Sequence, residues 1–275
     1  MPGSPYVRIL LCVVLVLAAP AALAQAMIES VQYPAWIERA GESAPLAPGT
    51  PLQARDVIVT GPEGRARLRL AEGSRAMLGE NARLVLQRDE LALARGAVRL
   101  VTGNQRGLEV AVRVGRALVA TRGADWFADA GAERDVVVLL EGRVVVGEGQ
   151  ASVALERPFE RLEVPRNGET PTRSSVQGPA ARWTQLVEMS ADGAVAVAGG
   201  RWRVSVGKFE SANDARVLQR NLHAAGFPAA LLGPDRSPHV VVATGFAGES
   251  EARAAMARLR SVPGAGILTV SETPR

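Results

Sequence analysis

The first half of the chain alternates hydrophobic and polar residues with a period of two. The run Arg65-Ala66-Arg67-Leu68-Arg69-Leu70 puts its apolar residues on one face of a strand and its arginines on the other. Similar short runs continue to residue 153, separated by turn sequences such as Gly61-Pro62-Glu63-Gly64 and Glu141-Gly142. This pattern predicts an all-β domain over residues 46–153, either a β-sandwich or a β-solenoid-like fold.

From residue 201 onward, strand and helix patterns alternate. Residues 202–209 have the period of a strand, and Ser211 is a suitable N-cap for a helix that ends before Gly226. Two short strands, a second helix and a final strand follow. The order β-α-β-β-α-β predicts a small α+β domain of the ferredoxin or RNP type over residues 201–275, with both helices on one face of an antiparallel sheet. The chain is therefore expected to be multidomain.

Residues 154–200, between these domains, are rich in proline and have no sustained period. We expect this segment to be an extended linker. Within it, Trp183 and Leu186-Val187 are a candidate apolar anchor in one or two helical turns. The segment 194–198 is a candidate strand that returns to the first domain.

The N-terminal residues have the features of a secretory signal peptide. Arg8 precedes an apolar run from Ile9 to Ala19, and Ala22-Leu23-Ala24 offers a cleavage site. The run is shorter than the roughly 20 apolar residues of a transmembrane helix. We therefore expect residues 1–24 to be removed and the mature protein to be periplasmic, with no membrane span.

Composition excludes several kinds of chemistry. The 32 basic and 28 acidic residues nearly balance, which predicts no nucleic-acid partner. The one cysteine, Cys12, lies in the predicted signal peptide, and His223 and His239 match no metal-ligand spacing. We predict no catalytic residue, no metal and no cofactor. Asp125 and Asp129 are a candidate acid pair for a hydrolase, but acids at strand ends are far more often solvated or capping residues.

Several spaced motifs of the β domain resemble the FecR domain. They are Asp56-Val57-Ile58-Val59-Thr60-Gly61, Ala71-Glu72-Gly73-Ser74, Leu78-Gly79-Glu80-Asn81-Ala82-Arg83-Leu84, Thr121-Arg122-Gly123-Ala124-Asp125-Trp126-Phe127 and Val137-Val138-Leu139-Leu140-Glu141-Gly142-Arg143-Val144. These motifs favour turns, because side chains such as those of Asp56, Ser74 and Asn81 can accept hydrogen bonds from neighbouring backbone amides. The resemblance therefore implies a fold and not a catalytic site. The iron-signalling role of the family's ferric-citrate member is not carried over.

The last domain resembles the SPOR domain of bacterial envelope proteins. The residues that carry this resemblance are Trp202-Arg203-Val204-Ser205-Val206-Gly207-Lys208-Phe209-Glu210-Ser211, Ala224-Ala225-Gly226-Phe227 and Val240-Val241-Val242-Ala243-Thr244-Gly245-Phe246. SPOR domains bind peptidoglycan, especially glycan strands without stem peptides, across the open face of their sheet. The resemblance implies the same ligand and the same face here.

Strand alternation predicts which residues lie on that face. It places Val204 and Val206 toward the helices and leaves the alternate positions on the open side. The candidate peptidoglycan-binding residues are Arg203, Ser205, Lys208, Phe209, Val240 and Val242. The family often has Gln in place of Ser205 and Arg in place of Val240, so this copy offers fewer hydrogen-bonding groups to a sugar polymer. Weakened or lost glycan affinity is therefore an equally weighted alternative.

Two functional hypotheses follow from these patterns. In the first, the protein is a non-enzymatic periplasmic cell-envelope protein that associates with glycan strands through its SPOR-like domain and presents a FecR-like β module. Envelope and cell-division proteins are further candidate partners. In the second, the protein is a periplasmic interaction or signalling adaptor that binds no glycan.

Overall fold

The computed structural model describes residues 26–70, 73–103, 109–176, 181–233 and 237–273. The predicted signal peptide, residues 1–24, and the pair Ala71-Glu72 of one FecR-like motif lie outside the described residues. Within the described ranges, no helix is both long enough and apolar enough to cross a membrane.

The first unit consists of short strands between residues 27 and 175. They are β1 (Met27–Gln32), β2 (Ala35–Arg39), β3 (Glu42–Pro45), β4 (Val57–Thr60), β5 (Arg65–Arg69), β6 (Arg75–Leu78), β7 (Arg83–Leu86), β8 (Leu91–Val101), β9 (Val110–Val114), β10 (Ala117–Thr121), β11 (Asp125–Ala130), β12 (Arg134–Glu141), β13 (Val144–Val146), β14 (Val153–Leu155), β15 (Glu160–Pro165) and β16 (Thr172–Ser175). One sheet has the order β16-β15-β12-β11-β8-β6-β5-β1. The other has the order β3-β2-β4-β7-β8-β9-β10-β13-β14.

Strand β8 belongs to both sheets and passes from one to the other at Gly96. Its first half pairs with β7 and its second half with β11. Gly96 has a φ of 84°, and a Cβ atom there would lie 2.6 Å from the Cα atom of Ala82, so the crossing requires glycine. The inner faces of the two sheets share one hydrophobic core, which includes Ile58, Leu68 and Trp126. The all-β prediction is therefore confirmed, in its sandwich form.

The described residues of the segment expected to be an extended linker are instead largely folded onto the first unit. Strand β15 pairs with β12, and β16 pairs with β15 at the edge of the first sheet. Pro158, Pro165 and Pro171 lie at or beyond the ends of these strands, where a missing N–H removes no hydrogen bond from the interior of the ladder. The proline content of this segment is therefore compatible with paired strands, and it does not indicate an unpaired linker.

The predicted apolar anchor is confirmed for Trp183 and Val187. Helix α1 (Ala181–Thr184) carries Trp183, whose ring centroid lies 5.1 Å from that of Phe127. Val187 is buried in the same cluster, on the outer face of the first sheet, whereas Leu186 is 48% exposed. The anchor covers apolar side chains that the sheet would otherwise leave in water.

The strand predicted to return to the first domain is also confirmed, and it joins the two units. It is β17 (Val195–Val197). Ala196 pairs with Val31 of β1 on one side and with Phe246 of the second unit on the other. The domain limits 46–153 and 201–275 stay predictions, although β1, β2, β3, β15 and β16 are hydrogen bonded to the first unit from outside its predicted interval.

The second unit has the predicted order β-α-β-β-α-β. Its elements are β18 (Trp202–Phe209), α2 (Ala212–Ala224), β19 (Ala229–Leu232), β20 (His239–Phe246), α3 (Glu249–Leu259) and β21 (Thr269–Glu272). The sheet order is β19-β20-β18-β21, and all pairs are antiparallel. Ser211 caps α2, because its Oγ accepts a hydrogen bond from the N–H of Asp214 at 3.4 Å.

Candidate functional site

The second sheet has one face covered by α2 and α3 and a second face turned away from them. Val204, Val206, Val241 and Ala243 belong to the helix side and are buried in the core. The alternate residues point away from the helices, as the pleat of a strand requires. We term this surface the open face, with the described members Arg203, Ser205, Lys208, Ala230, Leu232, Val240, Val242, Thr244, Thr269 and Ser271.

A β-bulge in β18 decides which predicted residues reach the open face. Ser205 pairs with Val242, but the next pair along the strands is Gly207 with Val241. Val206 is therefore an extra residue in β18, and the alternation of side chains shifts by one position beyond it.

The shift reverses the predicted orientation at the end of β18. A Cβ atom on Gly207 would lie 2.8 Å from Cδ2 of Leu218 and 2.6 Å from Cε2 of Phe209, so these side chains share the helix side. The ring of Phe209 packs against the core, and the prediction that it faces the open side is wrong. Lys208 takes the open position and is exposed.

The two predicted valines differ in exposure. Val240 is half-buried opposite Lys208, near the end of the sheet. Val242 is only 1% exposed; its neighbours on the adjacent strands are Ser205 and Ala230. Val240 is therefore available for contact with a ligand, whereas Val242 is not exposed to one.

Polar side chains of the open face extend across β18 and β21. Arg203 donates a hydrogen bond from Nε to Oγ of Ser271 at 3.1 Å, which orients the guanidinium group across the strands. Ser205 lies opposite Thr269, which is exposed. The face therefore presents cationic N–H donors beside hydroxyl groups, a set that can bond the hydroxyl and carbonyl oxygens of a polar ligand.

One end of the open face borders the first unit. Two crevices meet there, and Thr244 and Pro228 line both of them. Ala44-Pro45 bounds the first crevice, which has a volume of about 300 Å³. Ala47-Pro48 bounds the second, of about 330 Å³. We term the segment 44–48 of the first unit the wall.

A junction between the two units lies beside the wall. The ring centroid of Tyr33 is 5.3 Å from that of Phe227 and 6.2 Å from that of Phe246. Trp36 donates a hydrogen bond from Nε1 to the backbone carbonyl of His223 at 3.2 Å. Burial raises the pKa of Tyr33, and its buried hydroxyl has no hydrogen-bond partner among the described residues.

The candidate acid pair does not have the geometry of a hydrolase. Both oxygens of Asp125 accept hydrogen bonds from Arg99, at 2.9 and 2.7 Å. Asp129 lies four positions further along β11, roughly 13 Å away along an extended strand, which exceeds the separation of paired carboxylates in glycosidases. Burial and the nearby Asp135 raise the pKa of Asp129. Across the described ranges, no group of three or more His, Cys, Asp or Glu residues could hold a metal ion.

Sequence reasoning misses the wall and the junction. The period-two pattern starts the first domain at residue 46, although β1, β2 and β3 precede that position. The available signal is the closely spaced pair Tyr33 and Trp36, since aromatic side chains of this size are usually buried in a core or an interface.

Comparison with protein families identifies both units. Residues 56–145 match the family model described as FecR protein, and residues 198–268 match the model of the SPOR domain. The chain therefore contains a FecR domain and a SPOR domain, which are binding or regulatory domains and not catalytic ones. No curated protein matches the chain.

Two crystal structures of a "putative anti-sigma factor" from Parabacteroides distasonis are partly similar. One is 16% identical, with a TM-score of 0.42, over 60% of this chain and 73% of that chain. The other is 13% identical, with the same TM-score, over 74% of this chain and 91% of that chain.

Proposed function

We propose that this chain, which carries a FecR domain and a SPOR domain, is a non-enzymatic periplasmic protein that associates with the glycan strands of peptidoglycan. The open face of the second sheet is the binding surface, and the first unit presents a β module beside it. The observation that supports this proposal is the row of Arg203, Ser205 and Lys208 on one face of β18, turned away from both helices.

The chemistry of this row suits a sugar polymer that is rich in hydroxyl and acetamido oxygens. The guanidinium group of Arg203 and the ammonium group of Lys208 donate hydrogen bonds to sugar hydroxyl and acetamido oxygens, while the hydroxyl of Ser205 donates and accepts. Val240 offers an apolar contact for the C–H groups of a sugar ring. Because Trp202 and Phe209, the two aromatic residues of β18, both pack against the core, aromatic stacking contributes nothing from this strand, and we expect moderate affinity.

Binding of the full-length chain to purified sacculi stripped of stem peptides tests this function. The double variant Arg203→Ala and Lys208→Ala should weaken binding about a hundredfold or more, because hydrogen bonds from charged groups contribute about 1.5–3 kcal/mol each. Arg253→Ala is the matched control: Arg253 is exposed on α3, on the opposite side of the unit, where it pairs with Glu249. Co-sedimentation gives the affinity of each protein.

Failure of the wild-type chain to bind the stripped sacculi would leave the adaptor hypothesis, in which both domains contact only proteins. Equal weakening by the double variant and by Arg253→Ala would also contradict the open face as the binding surface, since any loss of positive charge would then have the same effect.

A further inference from the structure

The open face does not end at the edge of the second unit. Thr244 belongs to the open face and lines both crevices that the wall bounds, and Ala230 of the open face lines the first of them. Both crevices therefore border the open face where it meets the first unit, and the first crevice also reaches His223 and Ala229 at the helix side of the edge strand β19. Their volumes, about 300 and 330 Å³, lie at the lower end of the range of small-ligand sites.

The wall adds rigid apolar rings, which the open face lacks. Its exposed or half-buried residues are Ala44, Pro45, Ala47 and Pro48, and Pro228 adds a third proline ring from the second unit. Rigid apolar rings pack against the C–H faces of pyranose sugars, while the hydroxyl of Thr244 can bond to a sugar oxygen. The wall thus offers apolar contact area where no aromatic ring of β18 is available.

The wall is held firmly against the second unit. Leu46, at its centre, is fully buried and donates its backbone N–H to the carbonyl of Ala35 at 2.9 Å. Ala35 in turn donates its N–H to the carbonyl of Gly226 at 3.4 Å, and Trp36 is bonded to His223. A surface fixed in this way needs little ordering when a ligand binds, which favours affinity.

We propose that the glycan site is composite: the open face of the SPOR domain forms the floor, and residues 44–48 of the first unit form a wall that contacts the same glycan strand. This inference rests on the proposed function and deepens it. It assigns the first unit a direct part in ligand binding, and it predicts that the two units recognise glycan as one surface.

Substitution of the wall in the full-length chain tests the composite site. Ala44→Trp should fill the first crevice and weaken binding to stripped glycan strands about tenfold, because it builds a steric clash against the ligand. Ser43→Trp is the matched control: Ser43 is the exposed neighbour of Ala44 in the same edge strand, and it lines neither crevice. Ser205→Trp, which blocks the floor itself, should abolish binding.

Each result has a defined meaning. If Ser205→Trp abolishes binding while Ala44→Trp binds as the wild type does, the composite site is wrong and the proposed function stands. If the wild-type chain does not bind, both fail. Hydrogen exchange gives an independent readout without substitution: the amide of Ala47, which lies outside the strands, should be protected when glycan strands are added. Unchanged exchange at saturating glycan would overturn the wall contact.

Discussion

The FecR and SPOR units differ in where they keep their polar groups. In the first unit, three acidic residues are at most 1% exposed, Asp56, Asp135 and Glu160, and the carboxylate of each is bound by at least one arginine. In the described part of the second unit, His239 is the one buried polar or charged residue. The first fold is thus held partly by buried charge, and the second by apolar packing between helices and sheet.

The difference follows from how each fold connects its strands. Short strands need many turns, and a buried carboxylate can hold a turn by accepting several hydrogen bonds at once. Asp135, for example, accepts from the backbone N–H of Arg116 at 2.8 Å and from Nε and Nη2 of Arg166 at 3.1 and 2.9 Å. Helices satisfy their own backbone groups, so the second unit needs no such carboxylates, and its Arg203 and Lys208 lie at the surface.

Glu160 gives the strongest test of this contrast. Its carboxylate accepts from the backbone N–H groups of Glu156 and Arg157, at 2.8 and 3.0 Å, and from the guanidinium groups of Arg157 and Arg173, at 2.8 and 2.7 Å. Glu160→Gln should destabilise the first unit by about 3 kcal/mol, because it removes the charge from a buried, fully bonded site. Thermal unfolding of the full-length chain measures the loss, with the exposed Glu169→Gln as the control.

The same residue predicts a pH dependence with a defined sign. Burial alone would raise the pKa of Glu160, but the hydrogen bonds that its carboxylate accepts lower it from 4.5 to about 2. A lowered pKa in the folded state stabilises the fold above pH 4.5, and this contribution is lost as the pH falls toward 2. The stability difference between wild type and Glu160→Gln should therefore shrink over that interval. A difference that stays constant would mean that packing, and not charge, causes the loss.

The second test weakens the contact between the two units at their junction. Gly226 has a φ of 79°, and a Cβ atom there would lie 2.8 Å from Pro34 Cβ and from Trp36 Cζ2. Gly226→Ala should lower the free energy of unfolding by about 2.5 kcal/mol, since a clash with the first unit adds to the strain of the left-handed backbone. We expect one unfolding transition for the wild-type full-length chain and two for this variant.

Gly264→Ala is the matched control for the junction. Its φ is 87°, but the nearest atom to an added Cβ is Leu218 Cδ1 at 3.8 Å, an ordinary contact within the second unit. Gly264→Ala should lower the free energy of unfolding by only about 1 kcal/mol, because backbone strain is its one effect. Equal costs for the two variants would show that the junction contributes no stability, and the two units would then behave as separate bodies.

Local patterns predicted the second unit well because each of its elements has its own signal. The N-cap Ser211, the apolar stripe of α2 and the alternation of β18 all lie within a few residues of the structure that they specify. The orientation of Phe209 could not be predicted in this way. It depends on a bulge at Val206, which exists only because β18 pairs with a particular register of β20.

Long-range pairing limited the prediction of the first unit. The turn chemistry of Asp56 was predicted and is confirmed, since its carboxylate accepts the N–H of Gln53 at 2.7 Å. The strands β15 and β16 of the segment 154–200 were not predicted, because β15 is stabilised by its pairing with β12 and has only a short period of its own. The wall was missed for a similar reason: its position follows from β2, β17 and Gly226, which are far apart in sequence.

Tyr33 gives the smallest expected effect and the finest test of the comparison. It is the place where the first unit inserts a polar atom into the apolar packing of the second, between Phe227 and Phe246. Because its buried hydroxyl has no partner among the described residues, Tyr33→Phe should raise the stability of the full-length chain by about 1 kcal/mol. Phe227→Tyr, which adds a hydroxyl to the same cluster, should lower stability by a similar or larger amount. If Tyr33→Phe instead destabilises the protein, the hydroxyl has a partner in solution, and the junction shares the buried polar bonding that otherwise distinguishes the first unit.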